Sequence, residues 1–157
     1  MGTDAKRNMS LKQTVNRYYH QLLIGRIASL HDVLEGLRES SRNETKSSAG
    51  DKYETTRAML QLEQDKINSQ LKEAQEQKAI FEQIDPSIIS KQVIKGSLVK
   101  TDKGYLFVSI ALGKAMIDGI KVIALSPQSP LGIQLMGLQT NDTATINGMQ
   151  YVIESIE

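Results

Sequence analysis

The chain has 157 residues, a formal net charge of +1 and 24% charged residues, the figures of an ordinary protein of one domain or two small ones. It has no cysteine, which excludes disulfides, thiolate chemistry and cysteine-ligated zinc. No apolar run approaches the roughly 20 residues that span a bilayer, the polar start lacks the apolar core of a signal peptide, and no global basic excess marks a nucleic-acid binder, so the expectation is a soluble, cytoplasmic protein.

From Leu11 to Arg38 there is no proline, and apolar residues recur at helical spacing: Val15, Tyr19, Leu23, Ile27, Leu30, Leu34 and Leu37. Steps of three and four sustained this long predict a helix with a heptad-like stripe. Ser40 to Gly50, rich in cap and turn formers, predicts its end. A second helix is expected from Gly50 or Asp51, with the stripe Leu60, Gln64, Ile67, Leu71, Ala74, Lys78 and Phe81, stopping at Asp85-Pro86 because a residue before proline is pushed out of the helical region. Neither helix can bury its stripe alone, and a short connection makes them antiparallel neighbours. Residues 1–85 therefore read as an antiparallel coiled-coil helical hairpin with its tip near 43–55.

Asp51 and Glu54 are carboxylates three residues apart just past that turn. Both suit the positive end of a helix dipole, and both are also free to serve a ligand. Glu44 lies across the turn, and Arg42, Lys46, Lys52 and Arg57 put positive charge around the same tip, where a mixed-charge solvated surface is the plain account. His20 and His31 share a helix face but stand about 16 Å apart along it, too far to chelate one metal. The methionines, Met59, Met116 and Met136 among them, read as apolar filler.

Past Pro86 the period changes to that of strands. Ser97–Lys100, Tyr105–Ala111, Ala115–Ile117 and Ile120–Leu125 are rich in Val, Ile and Leu. Asp118-Gly119 and Asn147-Gly148 are hairpin signals. Ser129-Pro130 opens a short helix to about Met136, with Gly137 closing it, before strands Thr143–Ile146 and Gln150–Ile156. Residues 86–157 thus form a small α+β domain, and the fold class is α+β.

The tip segment Ala49 to Thr55 (AGDKYET) and the closing stretch Ser126 to Ile156, with Ser-Pro-Leu-Gly at Ser129 to Gly132, resemble the bacterial Gre transcript cleavage factor family (GreA and GreB). The resemblance implies a helical hairpin followed by an FKBP-like domain. It also implies a transcription elongation factor that binds RNA polymerase and inserts its tip into the secondary channel. There its carboxylates help hold a Mg2+ ion, so that the polymerase cleaves backtracked nascent RNA. By position, Gly50 and Asp51 match the family's Gly-Asp, and Glu54 matches its catalytic glutamate; both carboxylates would be catalytic and would ligate a Mg2+ shared with the polymerase. Family members are also described as DNA-binding. The chain would be an accessory factor and not a free-standing enzyme, with no small-molecule substrate and no membrane. Thr55, Arg57 and Ala58 depart from the asparagine and the Glu-Tyr pair usual in the family, which leaves open a non-catalytic regulator that only occupies the channel. An FKBP-like domain also raises prolyl isomerase activity, but such sites need an aromatic-walled pocket, and only Tyr105, Phe107 and Tyr151 are on offer.

Overall fold

A computed structural model describes residues 9–47 and 51–157, with the side chains of 44–47 and 51–53 outside the described set. Two long helices, α1 (Leu11–Ser47) and α2 (Asp51–Glu82), precede six strands and one short helix: β1 (Leu98–Thr101), β2 (Gly104–Val108), β3 (Gly113–Ile117), β4 (Ile120–Leu125), α3 (Pro130–Leu135), β5 (Thr143–Ile146) and β6 (Met149–Ile156). The class is α+β, with a mixed sheet of order β3-β4-β2-β1-β6-β5. No helix among the described residues is long and apolar enough to cross a membrane.

Helix α1 starts on a reciprocal cap. The Gln13 N–H donates to Ser10 Oγ, and the Ser10 N–H donates to Gln13 Oε1, so two backbone donors at the helix start are satisfied. The helix ends later than its sequence suggests, continuing through Ser40, Ser41, Asn43 and Thr45 to Ser47. Those residues cost only a few tenths of a kcal/mol each relative to good helix formers, and Glu39, Arg42, Glu44 and Lys46 are interleaved with them. Gly50 and the rest of 48–50 lie outside the described residues.

The chain falls into two compact units. One contains residues 21–79, the greater part of both long helices. Four steps from Ser47 to Asp51 reach about 14 Å at most, far short of the length of either helix, and the two helices pack on each other through Leu34, Ile67 and Leu71, so α1 and α2 run antiparallel. Within this unit Leu34 of α1 packs with Ile67 and Leu71 of α2, flanked by half-buried Ile27, Leu30 and Leu37. Leu23 and Ala74 continue the buried stripe. The stripes predicted from periodicity are therefore the faces that are buried. Glu35 bridges Arg38 at 3.8 Å and Arg42 at 3.6 Å on the exposed side, contacts that contribute little in water.

The other unit joins the first turns of α1 and the last residues of α2 to the sheet. Strand β2 is central, antiparallel to β1 and parallel to β4, and Leu106, Phe107 and Val108 are all buried because both faces are covered. Leu106 and Val108 join Val93, Val99, Leu125, Leu135 and Ile153 in one cluster, with Leu131 of α3 against it. Phe107, pointing the other way, meets Phe81 edge-on at 6.1 Å between ring centroids and Tyr19 at 6.2 Å. Both phenylalanines of the protein are thus in one joint.

Hairpins β3–β4 and β5–β6 turn at Asp118-Gly119 and Asn147-Gly148, where all four residues have positive φ (49°, 77°, 50° and 75°), as a type I′ turn demands. Ser129 caps α3: its Oγ accepts from the Gly132 N–H and donates to Ser126 O. Gly132 is required by space, since a Cβ there would stand 2.0 Å from Ser126 O.

Candidate functional site

Helix α2 opens on Asp51, four positions after α1 ends at Ser47, and Glu54 is exposed one turn further on. Their spacing puts both residues on one helix face, with Cβ atoms about 5–6 Å apart in an ideal helix. The side chains of Asp51, Glu44, Lys46 and Lys52 lie outside the described residues. Arg57 and Thr55 are exposed on the same turn, and Arg42 pairs with Glu35 two turns back along α1. Among the described residues no three His, Asp or Glu side chains gather where a metal could be held. Of the candidate carboxylates at this end, Glu54 is the one whose side chain is among the described residues. Mg2+ is commonly held by one or two carboxylates plus waters and a substrate phosphate.

The two histidines do separate things. His31 is exposed. His20 stacks on Phe81 with ring centroids 6.2 Å apart and planes 10° from parallel, and its Nε2 is 3.5 Å from a Glu82 carboxylate oxygen.

Two long-range hydrogen bonds escaped sequence reasoning. Tyr19, a member of the α1 stripe, is fully buried, and its hydroxyl donates to Gly113 O at 2.9 Å. Burial, and secondarily the neighbouring Tyr18, push its ionisation up to about 12. Its place as the one aromatic in an otherwise aliphatic stripe was the available signal. Lys12 is 3% exposed, and its ammonium donates to Ile88 O. Burial lowers its pKa, opposed by the charges of Glu157 and Asp85. A lysine in the first turn of a helix, where the dipole disfavours cations, was the hint.

Phe107 is wholly buried, and the Tyr151 ring lies under the Lys103 ammonium, 5.3 Å from its centroid.

No family model matches the chain, and no curated protein matches it. Among solved structures the chain is similar to the GreA factor homolog 1 protein of Thermus thermophilus, at 12% identity and a TM-score of 0.36, covering 88% of this chain and 94% of that one.

Proposed function

We propose that this chain is a Gre-like factor that binds RNA polymerase, enters its secondary channel by the α1–α2 turn, and stimulates cleavage of backtracked RNA with Asp51 and Glu54. The observation that carries this is the opening of α2 on Asp51 directly after the break between two long antiparallel helices, with Glu54 exposed a turn later. A pair of carboxylates is suited to completing a site that another molecule supplies, since Mg2+ is commonly held by one or two carboxylates together with waters and a phosphate. A Mg2+ ion held there would polarise a phosphate and lower the pKa of a bound water. The chain's own part is to bring two anionic oxygens to that ion and to orient them.

The test is RNA cleavage in stalled, backtracked transcription complexes with purified protein. Wild type is expected to shorten the transcript from its 3′ end, and Asp51→Ala with Glu54→Ala to abolish this while still co-sedimenting with polymerase. Undiminished cleavage by the double variant would sink the assignment. A second reading has its own support in Arg57, an exposed cation where the family carries its Glu-Tyr pair: a regulator that occupies the channel without cleaving. It predicts that wild type competes with channel-binding factors yet leaves backtracked RNA intact.

A further inference from the structure

Three buried side-chain atoms find no hydrogen-bond partner among the described residues: the Asn16 amide nitrogen, His20 Nε2 and Glu157 Oε2. Two of them belong to α1, on residues one turn apart along one helix face. A buried polar atom left unpaired is costly, and an ion or a water is the ordinary means of satisfying it. His20 is also held in place. Its ring stacks on Phe81 with planes 10° from parallel, and Nε2 lies 3.5 Å from Glu82 Oε2.

That separation exceeds the length of an N–H···O hydrogen bond, about 2.7–3.2 Å. It fits another geometry. With Zn–N and Zn–O bonds of about 2.0–2.2 Å, two ligands of a tetrahedral zinc ion stand about 3.3–3.5 Å apart. Neighbouring ligands of an octahedral Mg2+, with bonds of about 2.0–2.1 Å, stand about 2.9 Å apart, and that ion prefers oxygen to imidazole. The two side chains are 34% and 46% exposed, so an ion can reach them from solvent. No third His, Asp or Glu joins them among the described residues, which leaves the rest of the shell to water. Asn16 then gains a role, because a zinc-bound water accepts hydrogen bonds and the Asn16 amide donates them. One ion thus accounts for both unpaired atoms of α1. Protonation of His20 would pair its Nε2 with Glu82 and leave Asn16 as it is.

We propose that His20 and Glu82 form a zinc site, with Asn16 bound to the ion through water, which ties α1 near its start to the last residue of α2. All three residues, with Phe81, belong to the unit that contains the sheet. Two protein ligands make an exchangeable site, unlike the closed four-ligand shell of a structural zinc. The site uses no tip residue and needs no polymerase, so it stands apart from the reading given above.

The experiment is an NMR titration of the full chain with zinc chloride, following the imidazole signals of both histidines. His31, which is exposed, is the internal control. His20 is expected to saturate at ~10-fold less Zn2+ than His31, because a carboxylate shares its ion. Glu82→Gln should bring the two histidines level, and His20→Gln should remove the tighter event, each with helix content intact by circular dichroism. Asn16→Asp, which offers the ion a carboxylate in place of an amide, should tighten the His20 response. Magnesium chloride should move neither ring. Equal saturation of the two histidines, an undiminished His20 response in Glu82→Gln, no tightening in Asn16→Asp, or a matching response to Mg2+ overturns the proposal. So does a response that appears only as sedimentation shows zinc-driven self-association, which would put the ion between two copies.

Discussion

The two compact units bury apolar side chains by different means, although the same heptad-like stripe feeds both. In the sheet unit, Tyr19, Phe81 and Phe107 are exposed by 1% or less, because helix ends and a central strand enclose them from several sides. In the hairpin unit Leu23 at 0% and Ala74 at 2% are enclosed too, but the seam cluster of Leu34 at 3%, Leu71 at 8% and Ile67 at 9% has neighbours, Ile27, Leu30 and Leu37, that are only half-buried. Two helices cover one stripe on each other and leave the flanks to water. The difference teaches that a period of three and four sets which face turns inward, while the number of layers sets how far it is buried.

The largest break in that comparison should come from the joint. Phe81→Ala is expected to cost about 3–5 kcal/mol, and Leu34→Ala about 2 kcal/mol, at the low end for a buried leucine because water already borders the seam. Amide hydrogen exchange reads each unit by itself and is the proper measurement. Equal losses at the two sites would mean that the hairpin seam is as enclosed as the sheet core.

Glycines sharpen the same contrast. Gly132→Ala drives a methyl into Ser126 O and should destabilise the sheet unit by about 1–3 kcal/mol or more, since a backbone carbonyl cannot step aside. Gly36→Ala meets nothing within 4 Å and should stabilise the hairpin by about 1 kcal/mol through helix propensity alone. Thermal melts of the two variants should therefore move in opposite directions.

Much of this was legible in the chain. The alternating and heptad patterns give the buried faces of both helices, and Asp118-Gly119 and Asn147-Gly148 give both hairpins, because each rests on local chemistry. Ser129-Pro130 locates α3 for the same reason. The true end of α1 was hidden, since Ser40 to Ser47 merely permit a turn and do not force one. Burial of Lys12 and the Tyr19–Gly113 bond were hidden for another reason: they join residues 76 and 94 positions apart, and no local pattern records such a meeting. At the tip, the sequence names Asp51 and Glu54 and expects their helix from Gly50 or Asp51, and α2 opens at Asp51.

Smaller effects follow from pH. Tyr19 ionises near 12 when folded and near 10 when exposed, so its contribution is whole below pH 10 and is lost between about pH 10 and 12. Tyr19→Phe should remove that alkaline loss and cost about 1 kcal/mol at neutral pH, by leaving Gly113 O without its donor. Lys12 has the opposite sign. Its folded pKa is depressed, so the unfolded chain holds more protons just below the ordinary lysine value, and stability rises with pH through that window. Lys12→Met should flatten the rise. Both slopes are read from denaturant midpoints between pH 8 and 12.

The smallest expected change is at Asp85, an exposed carboxylate in neither core. The Ser87 hydroxyl and the Ser87 N–H hold its pKa below the usual range, with slight burial opposing and the charge of Lys12 adding a little. A depressed carboxylate stabilises above its unfolded pKa and loses that contribution as pH falls through the folded value, so the window is acidic. Ser87→Ala removes the hydroxyl bond and leaves the N–H, and the Asp85 pKa should recover only part of the way, as followed by carboxyl carbon NMR. Lys12→Met should shift it upward by less. Were the larger shift to come from Lys12→Met, the buried ammonium and not the local turn would be holding Asp85, and the turn after α2 would depend on α1 for its charge state.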